Sequence, residues 1–151
     1  MTKEDFLGTW MLRRCYEEHD GRIANAESLG ARPSGCIHYL GDGRMAVLIQ
    51  YGGRPRLSDV PARASDAEVA AVARKFYAYA GLYTIEGDRI VHHLDTCSNP
   101  NDVGADYVRT VQFIDDRLVL GTPPVERNGV VVELKLEWQA VPPRSQMIAP
   151  S

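Results

Sequence analysis

The sequence predicts an all-β fold: one antiparallel β-barrel of about eight strands, accompanied by a single amphipathic helix. Short runs rich in Val, Ile, Leu, Thr and Tyr recur along the chain, turn chemistry punctuates them, and a single stretch departs from the period of two. The runs fall at 8–18, 35–41, 43–51, 80–86, 89–96, 105–115, 117–122 and 130–140. Gly41-Asp42-Gly43, Glu86-Gly87-Asp88 and Asp115-Asp116 lie between neighbouring runs and carry hairpin chemistry. Connections this short join only antiparallel neighbours, so most of the sheet is an up-and-down meander. A twisted sheet of that size with one apolar face either closes or packs on a second sheet, and closure removes its edges.

The helix is expected from Ser65. Val69, Val72, Ala73, Phe76 and Ala80 follow helical spacing, Ser65 with Glu68 forms a capping-box signature, and Gly81 stands as the stop. Its Val69/Phe76 stripe is expected to pack on the barrel wall or to close one mouth. The stretch 52–64, with Pro55, Pro61 and scattered arginines, is the longest irregular one and a candidate lid.

A chain of 151 residues is one domain's worth, and 44% hydrophobic with 25% charged residues is ordinary globular usage. The barrel is placed at 4–141 and an exposed tail at 142–151. A net charge of -3 disfavours nucleic acid and an anionic membrane surface, both of which call for a basic field. The opening MTKEDFLGTW lacks an apolar leader core, and no run approaches the roughly 18 apolar residues of a membrane span, so the expected location is cytoplasmic. Cys15, Cys36 and Cys97 are an odd number with no CxxC spacing and read as reduced packing residues.

Several motifs resemble the lipocalin-like domain family, small intracellular calycin-like barrels of bacteria and fungi. They are Gly8-Thr9-Trp10 opening the first strand, Gly35-x-Ile37-x-Tyr39-x-x-Asp42-Gly43-Arg44-Met45 across a hairpin, and Gly81-x-Tyr83. His92-His93 and Pro100-Asn101-x-x-Gly104 leading to Arg109 complete the set, so the resemblance runs in order through residues 8–138. It implies a lipocalin-like barrel that holds a small, largely apolar organic molecule. Similar barrels serve natural-product pathways as cofactor-free cyclases and isomerases, while others only bind ligands.

Alternation separates the faces of each strand. The inward set includes Trp10, Leu12, Arg14 and Tyr16; Ile37 and Tyr39; Met45, Val47 and Ile49; Tyr83; Ile90, His92 and Leu94; Arg109, Val111 and Phe113; Leu118 and Leu120; Leu134, Leu136 and Trp138. Outward faces show no apolar patch that would suit a structural interaction module. Adjacent strand residues point to opposite faces, so His92 and His93 cannot share a metal, and phase favours His92 as the inward one. No metal site is expected.

His92, Arg109 and Tyr83 are the candidate catalytic residues, with Arg14, Tyr16, Tyr39, Val47, Ile49, Phe113 and Trp138 as ligand contacts. Two readings of Arg109 stay open: it caps the barrel floor and stacks on Trp10, or it faces a carbonyl, enolate or carboxylate oxygen of the ligand. His92 is either a satisfied core histidine or a general acid/base. Asp95 and Glu86 point outward or lie in a turn, so a two-carboxylate hydrolase is unsupported. No GxSxG elbow, P-loop or dinucleotide fingerprint is present, and neither GDGR at 41–44 nor GGRP at 52–55 opens a helix. No cofactor is therefore expected. The expected function is a cofactor-free cyclase, isomerase or lyase acting on an apolar intermediate, with a non-catalytic carrier or sensor as the alternative; a homodimer is compatible with either.

Overall fold

The computed structural model describes residues 1–142, so all but the first residue of the expected tail lies outside the described residues. Alternating apolar residues form β1 (Gly8–His19), β3 (Ser34–Tyr39), β4 (Arg44–Gln50), β5 (Phe76–Glu86), β6 (Arg89–Cys97), β7 (Asp106–Ile114), β8 (Arg117–Gly121) and β10 (Val130–Ala140). These eight pair in the order β1-β3-β4-β5-β6-β7-β8-β10, and β10 returns to pair with β1 from Trp10↔Ala140 to His19↔Val132. The result is a closed antiparallel barrel. Two short strands, β2 (Arg22–Asn25) and β9 (Val125–Arg127), extend β1 and β10 as ribbons beyond it.

One barrel end is shut by the N-terminal segment. A 3₁₀ turn at Lys3–Asp5 drops Phe6, fully buried, beneath the strands, and Trp10 Nε1 donates to the Phe6 carbonyl at 2.8 Å. Phe6 meets Tyr39 edge-on with centroids 5.5 Å apart and lies 5.4 Å from the Phe113 ring. Trp10 of the Gly-x-Trp motif thus anchors the plug.

Three expectations are corrected by local backbone geometry. Pairing of β1 with β10 shifts between Leu12 and Arg14, so Cys15, opposite Leu136, takes the inward place and Arg14 and Tyr16 turn to the outer side. There the Arg14 guanidinium stacks on the Tyr16 ring at 4.3 Å and approaches Glu137 at 3.8 Å. The helix, α1, covers only Asp66–Ala73, with no fully buried residue. Its cap is as read: the Ser65 side chain accepts from the Glu68 N–H at 3.3 Å and Glu68 Oε2 accepts from the Ser65 N–H at 3.1 Å. Phe76 and Ala80 belong to β5 instead. Gly81 is no helix stop but a close approach, since a Cβ there would lie 1.8 Å from the His93 carbonyl oxygen beside a register shift in β5–β6.

At the other end, the β2–β3 loop leans across the mouth. The Gly52 N–H donates to the Leu29 carbonyl at 2.8 Å, and a Cβ on Gly52 would lie 1.9 Å from the Ala31 oxygen. Only glycine allows that contact, which holds Leu29 buried over the opening. The 52–64 stretch is tied to α1 and the rim: Arg54 Nε donates to the Val72 carbonyl at 3.1 Å, and the Arg54 guanidinium covers the Phe76 ring at 5.0 Å. Neither that stretch nor α1 lines the cavity described below, so the covering residue is Leu29.

The outer wall does carry an apolar depression of about 340 Å³ over β4, β5 and β6, bordered by Ala46, Leu48, Ala78, Ala80, Thr96 and Ser98. Cys15, Cys36 and Cys97 are all free thiols. Among the described residues no helix is long and apolar enough to cross a membrane.

Candidate ligand-binding site

Between the aromatic plug and Leu29 the barrel leaves a cavity of about 190 Å³. Ile37, Val47, Ile49, Leu120, Leu134, Leu136 and the Trp138 ring give it an apolar wall; Tyr51, Tyr77, Tyr79 and Arg109 add the polar groups. An apolar cavity of about 150 Å³ admits benzene, so this one suits a single aromatic ring with small substituents. A second recess of about 440 Å³ opens at the rim between Glu17, Thr122, Pro123, Val125, Arg127 and Val132. Arg109 and Leu134 border both spaces and form the threshold between them.

Arg109 sits on β7 opposite Ile90, its Nη1 donating to the Val108 carbonyl at 3.0 Å and its guanidinium lying 4.9 Å over the Tyr107 ring. Stacking on Trp10 is therefore not its role; Trp10 belongs to the opposite, plugged end. Among the described residues no carboxylate forms a salt bridge with Arg109. The Val108 carbonyl, the Tyr107 ring and the neighbouring Tyr79 hydroxyl hold the guanidinium at the threshold, with no carboxylate to neutralise it.

His92 is fully buried beneath the cavity, and both ring nitrogens are engaged: Nε2 with Tyr39 Oη at 2.8 Å, Nδ1 with Tyr79 Oη at 3.0 Å. Burial first, then the Arg109 charge and His93, push its pKa down to about 3, so the ring is neutral. Burial raises the Tyr39 phenol well above its ordinary value and takes Tyr79 up to about 12, the Arg109 charge opposing both shifts. His93 faces outward, its Nδ1 2.7 Å from Asp106 Oδ1 and its Nε2 2.8 Å from Thr84 Oγ1.

The cavity gathers Arg109, Val47, Ile49 and Trp138 from the expected set, with His92 and Tyr39 one layer below through Tyr79. Tyr83 does not reach it; its hydroxyl donates to the Leu40 carbonyl at 2.8 Å and its ring packs on Tyr39. Phe113 has inward phase but lies at the plugged end, 40% exposed, against Phe6 and Trp10. Arg14 and Tyr16 are outside.

Sequence reasoning missed Leu29, Tyr51, Tyr77 and Tyr79. The alternation Tyr77-x-Tyr79-x-Gly81-x-Tyr83-x-Ile85 would have found two of them, had the strand been started at Phe76. Tyr77 heads a chain on the cavity wall: its Oη bonds Tyr107 Oη, and Tyr107 Oη donates to Asp102 Oδ2. Burial and the Tyr107 bond raise the Tyr77 phenol, while burial and Asp102 push Tyr107 up to about 12. Trp138, nearly fully buried, has an indole N–H with no acceptor among the described residues. Among those residues no group of three or more His, Cys, Asp or Glu is placed to hold a metal ion.

Two comparisons bear on this arrangement. The model of the lipocalin-like domain matches residues 7–141. A curated relative, the 4'-hydroxy-3'-methoxypropiophenone carrier protein ppsC of Aspergillus oryzae, is 29% identical over 87 residues, covering 52% of this chain and 78% of that protein.

Proposed function

The chain belongs to the lipocalin-like domain family, and from that premise we propose that it binds one small, oxygenated aromatic molecule in the barrel cavity and acts as its carrier. The observation that carries the reading is the cavity itself, an apolar space of about 190 Å³ whose wall carries Tyr77, Tyr79 and Arg109. A few polar groups on an otherwise apolar wall fix the orientation of a bound molecule through its oxygens. Cavity size supports one substituted ring, and the relative's printed ligand, an aryl ketone with a phenolic hydroxyl, has that chemistry.

Carriage is favoured over proton-transfer chemistry by His92, whose nitrogens are both occupied and whose protonation is suppressed near neutral pH. One observation favours a second reading, a cofactor-free isomerase or cyclase: the Arg109 cation beside the Tyr79 hydroxyl could polarise a carbonyl. Calorimetric titration with 4'-hydroxy-3'-methoxypropiophenone tests the proposal. Saturable one-to-one binding is expected in the wild type and its loss in Val47→Trp, which fills the cavity. No binding, or binding indifferent to Val47→Trp, would refute it. Recovery of the compound chemically altered would transfer support to the isomerase or cyclase reading.

A further inference from the structure

We propose that the cavity wall selects its ligand by hydrogen-bond polarity: Tyr77 has only lone pairs to offer, Tyr79 offers its proton, and the ligand class is an aromatic molecule bearing both a free hydroxyl and a carbonyl-type oxygen. This rests on the binding reading above and specifies what it binds.

The polarity follows from counting protons along two chains. Asp102, at the end of the 3₁₀ turn Pro100–Asp102, receives at Oδ2 both the Tyr107 hydroxyl and Asn99 Nδ2, the latter at 3.3 Å. The Asn99 amide is oriented by the Asn101 N–H, which donates to its Oδ1 at 3.1 Å, so its nitrogen is the atom facing Asp102. A carboxylate has no proton to give, and the single Tyr107 proton is committed to it. The bond between the Tyr77 and Tyr107 hydroxyls must then use the Tyr77 proton. What Tyr77 has left for the cavity is lone pairs, a state the weak Cys97 thiol donor at 3.7 Å also fits.

The second chain runs the other way. Tyr39 is buried, and its hydroxyl has His92 Nε2 as its one polar partner among the described residues. Were the His92 proton on Nε2, the Tyr39 proton would be buried with no acceptor. Tyr39 therefore donates to Nε2, and the neutral ring, keeping its proton on Nδ1, donates to Tyr79 Oη. The Tyr79 proton has no remaining protein acceptor among the described residues and is left for the cavity. Tyr77 and Tyr79 rings lie 5.8 Å apart, so one substituted ring can meet both. A hydroxyl on the ligand satisfies Tyr77; a carbonyl satisfies Tyr79. An ether in place of the hydroxyl brings a lone pair against a lone pair.

The test uses two probes, 4'-hydroxy-3'-methoxypropiophenone and its 4'-O-methyl ether, titrated into the wild type, Tyr107→Phe and Asp102→Ala. Tyr107 and Asp102 do not line the cavity, so both variants act on polarity through Tyr77 alone. The wild type should bind the hydroxyl probe about tenfold tighter than the ether, the worth of one hydrogen bond. Either variant frees the Tyr77 hydroxyl or reverses its bond, and the preference should fall to near unity or invert while the ether binds at least as well as before. Equal affinity of the two probes for the wild type, or a preference that survives in a folded variant, would overturn the inference and leave the binding reading standing. If neither probe binds the wild type, both fall together.

Discussion

Lowering the pH from 7.5 to 5 should cost the folded chain about 2 kcal/mol through His92. In the folded state its pKa is about 3, against an ordinary value of 6.5. The unfolded chain thus takes up a proton on His92 below pH 6.5 that the folded chain refuses until near pH 3. Stability is full above 6.5 and is lost progressively as pH falls toward 3. At pH 5 the gap is about 1.5 pKa units, each worth about 1.36 kcal/mol. Glu68, whose carboxyl is held at about 2 by bonds from Ser58 and Ser65, loses its contribution only below its ordinary 4.5, outside the chosen interval. Urea unfolding read by fluorescence of the buried Trp10 and Trp138 would measure the effect. His92→Gln, which can still bridge two hydroxyls but does not titrate, is the control. If wild type and His92→Gln lose the same stability between the two pH values, the buried neutral histidine is not as described.

Other expectations are as direct. Tyr79→Phe removes the hydroxyl that donates into the cavity, so 4'-hydroxy-3'-methoxypropiophenone should bind about tenfold more weakly by calorimetry. Arg109→Met breaks no salt bridge and should leave the thermal midpoint nearly unchanged while weakening the same probe about tenfold. Gly81→Ala drives a methyl into the His93 carbonyl, and denaturant unfolding should show a loss of about 1–3 kcal/mol.

The barrel was legible because its signals are local and repeated. Each hairpin turn declares its neighbours, and one-sided burial forces alternation on the strands that flank it. Signals failed where two periods coincide or where nothing is buried. Val69, Val72, Phe76 and Ala80 satisfy helical spacing, yet the chain leaves the helix after Ala73 because Tyr77 and Tyr79 must both face the interior. β2 and β9 expose every residue and offer no pattern. Arg14 and Tyr16 were placed inside by counting in twos, a count that the shift after Leu12 breaks. Arg109, Val47, Ile49 and Trp138 lie where phase put them. Leu29 could not be read, since a loop residue reaches the cavity only through the Gly52–Ala31 contact, a pairing of distant backbone segments.

A crystal structure of the chain with 4'-hydroxy-3'-methoxypropiophenone tests the central claim most directly. Its aromatic ring should sit among Val47, Leu120 and Trp138, with an oxygen within hydrogen-bond reach of Tyr79 Oη or the Arg109 guanidinium. A barrel whose own side chains fill that space, or a probe seated only in the outer depression over β4, β5 and β6, would contradict the account.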